Sequence, residues 1–455
     1  MPGFLESRLN RFNSLQTFQF LRYGAILLIS VLLAKITHYA YESPGYGLLI
    51  ISRYELLLLV SSSLTFFWVS SICNTLIPFY NGSDEDQQKR ILFNAFVILV
   101  VLSSVGAIAM FTFGSIKYSE NDLFHTKDLF HTFSLVVFLN TPTYIADYIL
   151  YLKGKYKSLI IWGAVTFGLQ VVLLCLPLLM GQTLNLAINL WVILSLLKFN
   201  YTIILLMKYS IISVHTRLIL DFMKRVMPFM FSILLAGSME YISSYIVQHY
   251  YTEAEFVIFR YGAKELPVFL ILANSLSNVF SGEVAKLNQE GKLEEGLRKL
   301  KHASTKLMRR TFPATMILMF VSPWLFRYMY SEQFVEGYKV FNIYLLLIIS
   351  RMIFPQTVIM GIMKNRIFYV ISFNYIIINV LLSFWFMYLF GIYGIAYATA
   401  IAFLAEKIMY AIYCKMEGIR FREYTALYEH LVFSILTVIV YFASMWLWNT
   451  YPLVS

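Results

Sequence analysis

Apolar residues in this chain come in long runs separated by short polar connections, without the narrow stripes of a soluble helix or the alternation of a half-buried strand. Thirteen runs stand out, at about 18–36, 54–79, 91–116, 129–151, 158–180, 184–207, 226–248, 256–281, 311–330, 339–362, 367–390, 392–413 and 430–450. About 20 apolar residues cross a bilayer as a helix. Backbone groups in lipid must be paired within the segment, and no barrel-type alternation appears, so each run predicts a transmembrane helix. Spans and connections use up the length, leaving no room for a sizeable soluble domain. The fold class expected is an all-α polytopic membrane protein.

Composition agrees: 59% of the 455 residues are hydrophobic and 13% charged, with a mean hydropathy of +0.68. The net charge of +11 would suggest nucleic acid in a soluble chain. Here the bases flank apolar runs, which points to membrane topology and anionic lipid, with no nucleic-acid partner. Cys73, Cys175 and Cys414 lie within or at the ends of runs and far apart, and the seven histidines are scattered, so neither a disulfide framework nor a metal site is expected. Arg8 and Arg11 precede the first run without a small-residue cleavage site, which reads as a first span rather than a signal peptide.

The Lys and Arg residues set an orientation. The N-terminal tail and every second connection carry 26 of the 36, counting Arg22 and Lys407 at span margins. The intervening connections carry seven: Lys35, Arg53, Lys117, Lys127, Arg260, Arg327 and Lys339. The positive-inside rule places the first set, and the N-terminus, in the cytoplasm. Helices 1 and 7 then start on the same side, which predicts two six-helix lobes, residues 1–210 and 211–425, related by a parallel pseudo-two-fold repeat, with an additional helix in 426–455. Loose internal likeness between Ser52-Arg53-Tyr54-Glu55-Leu56 and Arg260-Tyr261-Gly262-Ala263-Lys264-Glu265-Leu266 agrees with this. In the basic cytoplasmic connection 283–310, Leu287, Leu293, Leu297 and Leu300 interleave with bases, predicting an amphipathic helix on the inner leaflet.

Ionisable residues inside a span cost about 2.5–3.5 kcal/mol on insertion scales and so ask for a cavity or a partner. Arg260 and Lys264, four apart, would share a helix face and suit a phosphate, Arg as a planar fork and Lys as a mobile point charge. Neutralisation by Glu265, Glu240 or Glu55 is the structural alternative. Lys198 and Arg351 sit too deep for escape to water and are expected to line an aqueous cavity. Glu240 is either a counter-ion or a cation site, and Asp147 lies within two turns of the cytoplasmic side. Arg22 and Arg53 are near span ends, where snorkelling is the default. Beside Lys407, Glu406 reads as structural. Pro142, Pro228, Pro267, Pro313 and Pro355 in or near spans permit kinks.

The helix number, the two-lobe charge pattern, the segment Phe256 through Pro267, the basic connection before Pro313 and the stretch Gly391 through Ala400 together make the chain resemble the O-antigen type polysaccharide flippases. These belong to the MOP superfamily, with the multidrug and toxin extrusion (MATE) transporters and the lipid II flippases. The resemblance implies a monomeric transporter of the bacterial inner membrane, not an enzyme and without a cofactor. It would move an undecaprenyl-pyrophosphate-linked oligosaccharide to the outer leaflet by alternating access. On this reading Lys264, Arg260, Arg351, Lys198 and Arg53 face the substrate. Glu240, Glu265, Glu55 and Asp147 serve as counter-ions or sites for a coupling cation, H+ or Na+. A thirteenth span departs from the twelve or fourteen of that family. The alternatives are a cation-coupled multidrug exporter on the same fold, which predicts an acid-dominated cavity, and a membrane-embedded glycosyltransferase or polymerase. The latter needs an acidic metal motif or a large outer loop, and the sequence displays neither.

Overall fold

The computed structural model describes residues 2–41, 44–119, 125–264, 267–364 and 366–451. Among them every regular element is a helix. Nine helical segments are long and apolar enough to cross a membrane, and a bent pair, Gly337–Arg351 with Pro355–Gly361, makes up to ten. The expected runs 226–248, 256–281 and 311–330 fall on further helices that do not meet both criteria among the described residues.

Surface chemistry supports a lipid environment directly. On α6 (Tyr156–Leu179) the exposed residues include Ile161, Val165, Leu169, Val172 and Leu176, an apolar stripe at helical spacing. Helices α15 (Ile367–Phe390) and α18 (Leu427–Thr450) expose Phe373, Ile377, Leu381, Trp385, Ile435, Ile439, Phe442 and Trp446. Continuous apolar stripes of this length on several helices are alien to a water-soluble surface.

The chain forms two compact units, Met1–Gly237 and Ser238–Ser455, where the sequence suggests a boundary at 210/211; α18 falls within the second. The first unit holds α1 (Pro2–Tyr39), α2 (Pro44–Asn81), α3 (Glu85–Lys117), α4 (Thr126–Asn140), α5 (Tyr144–Leu152), α6 and α7 (Leu184–Tyr209). Helix α1 packs on α6, α3 on α2 and α4, and α7 on α4 and α6. Its core joins Trp68, Ile72 and Leu76 of α2 to Leu92, Ala95 and Leu99 of α3, with Ile145 and Ile149 of α5 and Leu205 of α7.

Helix α8 (Thr216–Tyr250) carries the chain into the second unit. There follow α9 (Glu253–Gly262), α10 (Pro267–Gln289), α11 (Leu293–Met329), α12 (Gly337–Leu345), α13 (Ile348–Arg351), α14 (Pro355–Gly361), α15, α16 (Ile392–Met416), α17 (Phe421–Tyr424) and α18. Helix α9 starts at a capping box between Thr252 and Glu255, which satisfies its first orphan N–H groups. Helix α10 packs on α11 and α14, α16 packs on α12, α13, α14 and α15, and α18 packs on α11.

Glycine and proline punctuation explains the departures from uniform helices. Gly391, at φ 60°, lets α15 turn directly into α16. A Cβ on Gly394 would lie 2.0 Å from the Phe386 carbonyl oxygen, so only glycine permits that corner. The expected run 129–151 is divided between α4 and α5 by a 3-10 turn at Thr141–Thr143, centred on Pro142. The run 339–362 breaks before Pro355, the first residue of α14. The run 256–281 is likewise interrupted, with α9 ending at Gly262 and α10 described from Pro267.

The expectation for 283–310 is corrected. The segment is the tip of a helical hairpin, α10 to Gln289, a turn through Gly291 at φ 73°, and α11 from Leu293. Leu297 and Leu300 are buried in the unit's core with Phe312, Ile359 and Tyr410, and so are not available to lipid. Lys299 pairs with Glu283 of α10 and Glu295 of α11, both at 3.0 Å. Lys301 donates to the Arg422 carbonyl of α17 at 2.8 Å. The amphipathic pattern is real, but its apolar face is spent on the chain's own interior.

Candidate functional site

Each unit gathers charged residues around one of its proline-broken spans. In the first, Asn140 ends α4 two residues before Pro142, and its Oδ1 accepts from Lys198 Nζ of α7 at 2.6 Å. One turn beyond the break, Asp147 Oδ1 accepts from Trp162 Nε1 of α6 at 2.9 Å. Asp147 interacts electrostatically with Lys198 and Arg22. Arg22, from α1, donates to the Tyr144 hydroxyl at 2.6 Å and stacks over that ring at 4.6 Å. Trp162 stacks on Tyr201 of α7 at 4.5 Å between ring centroids. Arg22, Asp147 and Lys198 are half-buried. Among the described residues two bases and one acid thus form a polar cluster between helices, the arrangement that makes an in-span charge tolerable.

In the second unit Arg351 ends α13 just before the break, and its guanidinium lies 5.0 Å from the Phe403 ring centroid. Lys407 of α16 donates to Gln356 Oε1, the residue after Pro355, and stands 5.2 Å from the same ring. Glu406 interacts electrostatically with both bases and is hydrogen-bonded to Tyr410. Glu406 and Lys407 are buried. Among the described residues two bases again meet one acid. Arg351 also borders an apolar cleft lined by Phe269, Phe341, Tyr344, Leu345, Leu347 and Ile348.

The other residues singled out by sequence make contacts of their own. Arg260 donates to Ser244 Oγ of α8 at 3.2 Å. Lys264 is not on the helical face of Arg260, because α9 has already ended at Gly262; its ammonium sits 4.1 Å from the Tyr261 ring centroid. Arg260 and Lys264 thus extend from different backbone geometries, one from α9 and one from the segment after it. Arg53 faces the Tyr118 ring at 5.7 Å, and Glu55 is buried. Glu265 and the Glu240 side chain lie outside the described residues. Sequence reasoning passed over Arg22 and Lys407, read as span-margin bases, and Asn140, Gln356, Trp162 and Tyr410. A carboxamide within two residues of an in-span proline, Asn140-Thr141-Pro142 and Pro355-Gln356, is the signal that would have found two of them.

Cys73, Cys175 and Cys414 are buried free thiols. Among the described residues no group of three His, Cys, Asp or Glu side chains is placed to hold a metal ion.

No protein-family model matches the chain, and no curated protein matches it either. Solved structures do. The lipid II flippase MurJ in its inward closed conformation superposes with a TM-score of 0.64 at 14% identity, over 95% of this chain and 98% of that one. An inward-facing multidrug resistance MATE transporter of the MOP superfamily gives 0.60 at 13%, over 88% and 94%. A mutant of a Vibrio cholerae MATE transporter gives 0.58 at 13%, over 90% and 97%. At such identities the likeness is one of fold: the chain folds like MurJ and the MATE transporters.

Proposed function

We propose that this chain is a flippase of the bacterial inner membrane. It would carry an undecaprenyl-pyrophosphate-linked oligosaccharide from the cytoplasmic to the outer leaflet for surface polysaccharide assembly, by alternating access between two lobes. The observation that carries this is the excess of base over acid among the described residues at both broken spans: Arg22 and Lys198 with Asp147, Arg351 and Lys407 with Glu406. Cationic groups in a low-dielectric setting bind a pyrophosphate strongly, and Arg adds directional paired donation. MurJ, named for a lipid-linked substrate, supports the class of cargo by its similar fold.

A parallel repeat of two six-helix lobes is supported by internal packing. Within each unit the fourth expected span is broken at a proline and packs on the sixth, through α4 and α5 on α7 and through α12 to α14 on α16. In each a lysine of the sixth span holds a carboxamide beside that proline. Our reading retains thirteen spans, a cytoplasmic N-terminus and a monomer. Lys264, Arg260 and Arg53 remain proposed substrate contacts, while Asp147, Glu55, Glu240 and Glu265 are proposed counter-ions or H+ or Na+ sites. The competing reading, a cation-coupled multidrug exporter, draws on the MATE likeness but calls for acid in excess where these clusters have base.

The test is transport of a defined lipid-linked oligosaccharide in proteoliposomes. Arg351→Gln is expected to reduce flipping at least tenfold while insertion and abundance stay unchanged; wild-type flipping by this variant would overturn the reading. Cysteines placed near Lys35 should react from outside and those near Lys155 only after permeabilisation. The reverse pattern would overturn the orientation.

A further inference from the structure

A second basic site lies away from both clusters. Between the end of α2, the start of α3, the strap of residues 210–215 and the start of α8, a cleft of about 870 Å³, counting space open to solvent, is lined by Phe79, Gln87, Arg90, Ile91, His215, Arg217, Leu218 and Asp221. All belong to the first unit.

The cleft is built rather than incidental. Asn94, buried within α3, donates from Nδ2 to the Ser213 carbonyl at 3.0 Å, and its Oδ1 accepts from the His215 backbone N–H at 2.8 Å. The Ile211 N–H donates to the Lys89 carbonyl at 3.3 Å. These bonds clamp a non-helical strap against α3 and present His215 to the half-buried Arg90, whose guanidinium meets the imidazole Nε2. Arg217 stands exposed on the rim. The only acid in the lining among the described residues, Asp221, is engaged by Lys224 at 3.5 Å. Phe79 packs on the buried Phe222 at 5.2 Å and carries Arg225 over its ring at 5.3 Å, so the apolar floor is anchored on the unit's core and its edge is cationic.

Two guanidiniums and an imidazole in one lining with a phenyl ring and two aliphatic side chains match a phosphate group joined to an apolar body. We propose that this cleft binds such a phosphate ester, its oxygens held by Arg90, Arg217 and His215 and its apolar part resting on Phe79, Ile91 and Leu218. The proposal is independent of what is transported. Two sources share the chemistry, the headgroup of an anionic phospholipid and a soluble aromatic phosphomonoester.

The experiment is binding to the intact detergent-purified protein. The probes are dihexanoyl-phosphatidylglycerol, phenyl phosphate and, as a zwitterionic reference, dihexanoyl-phosphatidylcholine. At least one anionic probe should bind, and Arg217→Glu should weaken it tenfold or more without lowering the thermal midpoint. Arg90→Gln should weaken it similarly. Binding of the glycerol lipid alone assigns the site to lipid, and binding of phenyl phosphate alone assigns it to a soluble ligand. Failure of both anionic probes, or equal affinity in wild type and Arg217→Glu, would overturn the proposal. So would equal binding of the choline lipid.

Discussion

Replacing Asn140 by leucine removes the acceptor that Lys198 uses inside the first unit, and the size of the effect follows from the geometry. The bond is 2.6 Å long, its donor is an ammonium group, and both partners are half-buried between α4 and α7. Hydrogen bonds to charged groups contribute about 1.5–3 kcal/mol. Asp147 still interacts with the stranded ammonium, so Asn140→Leu should cost about 1.5–2 kcal/mol, the low end of that range. Lys198→Met behaves differently. It removes an in-span charge whose insertion costs about 2.5–3.5 kcal/mol, which offsets the lost bond, and should leave stability within about 1 kcal/mol of wild type. The double variant, with an apolar pair in place of the polar one, should then be more stable than Asn140→Leu alone. A double-mutant cycle by SDS-induced unfolding of the purified protein measures this directly, with a coupling energy of at least about 1 kcal/mol expected. If Asn140→Leu falls within about 0.5 kcal/mol of wild type, or the two changes add, the contact contributes nothing and the reasoning fails.

Other expectations follow from the packing and the polar clasps. Gly394→Ala places a methyl against the Phe386 carbonyl and should destabilise the protein by about 1–3 kcal/mol or more. Gly168→Ala, where nothing lies within 4 Å, should be neutral or stabilising by about 0.5–1 kcal/mol; the reverse order in thermal melts would refute the reading of the α15–α16 corner. The Lys299 ammonium holds the Glu295 carboxyl below the ordinary carboxylate range, and Glu283 with Glu295 raises the lysine. A lowered acid contributes above its unfolded pKa of about 4.3 and loses that contribution as pH falls through the folded value. A raised lysine contributes below about 10.4 and loses it as pH rises through its folded value. The difference in thermal midpoint between wild type and Lys299→Met should therefore be flat from about pH 5 to 9 and fade on both sides; a difference that grows in acid would contradict the assignment.

The helices themselves were written plainly in the sequence, since a bilayer demands long apolar runs and the α6 stripe from Ile161 to Leu176 is such a run seen from outside. What hydropathy did not register is how a run is interrupted. Pro142 and Pro355 could equally have produced gentle kinks; the structure makes them breaks, and the end of α9 at Gly262 leaves Lys264 off the helix that carries Arg260. The hairpin of α10 and α11 was misread because an amphipathic pattern specifies an apolar neighbour without saying whether lipid or protein supplies it. The candidate clusters were half legible. Lys198 and Arg351 stood out as charges in apolar surroundings, whereas Arg22 and Lys407 were absorbed into the topology count, and their partners Asn140 and Gln356 are uncharged and left no mark on it.

The broken spans constrain the order in which the chain is built. A proline inside a span frees a backbone carbonyl, and hydrocarbon leaves an unpaired group unsatisfied at a cost of several kcal/mol. Asn140 and the turn beside Pro142 are sheltered by α7, which leaves the ribosome some 40 residues later. Likewise α14 leans on α16, which follows it. Neither segment can settle at its final depth when first released, so each must wait at the membrane interface, or in the shelter of the insertion machinery, until the later helix arrives.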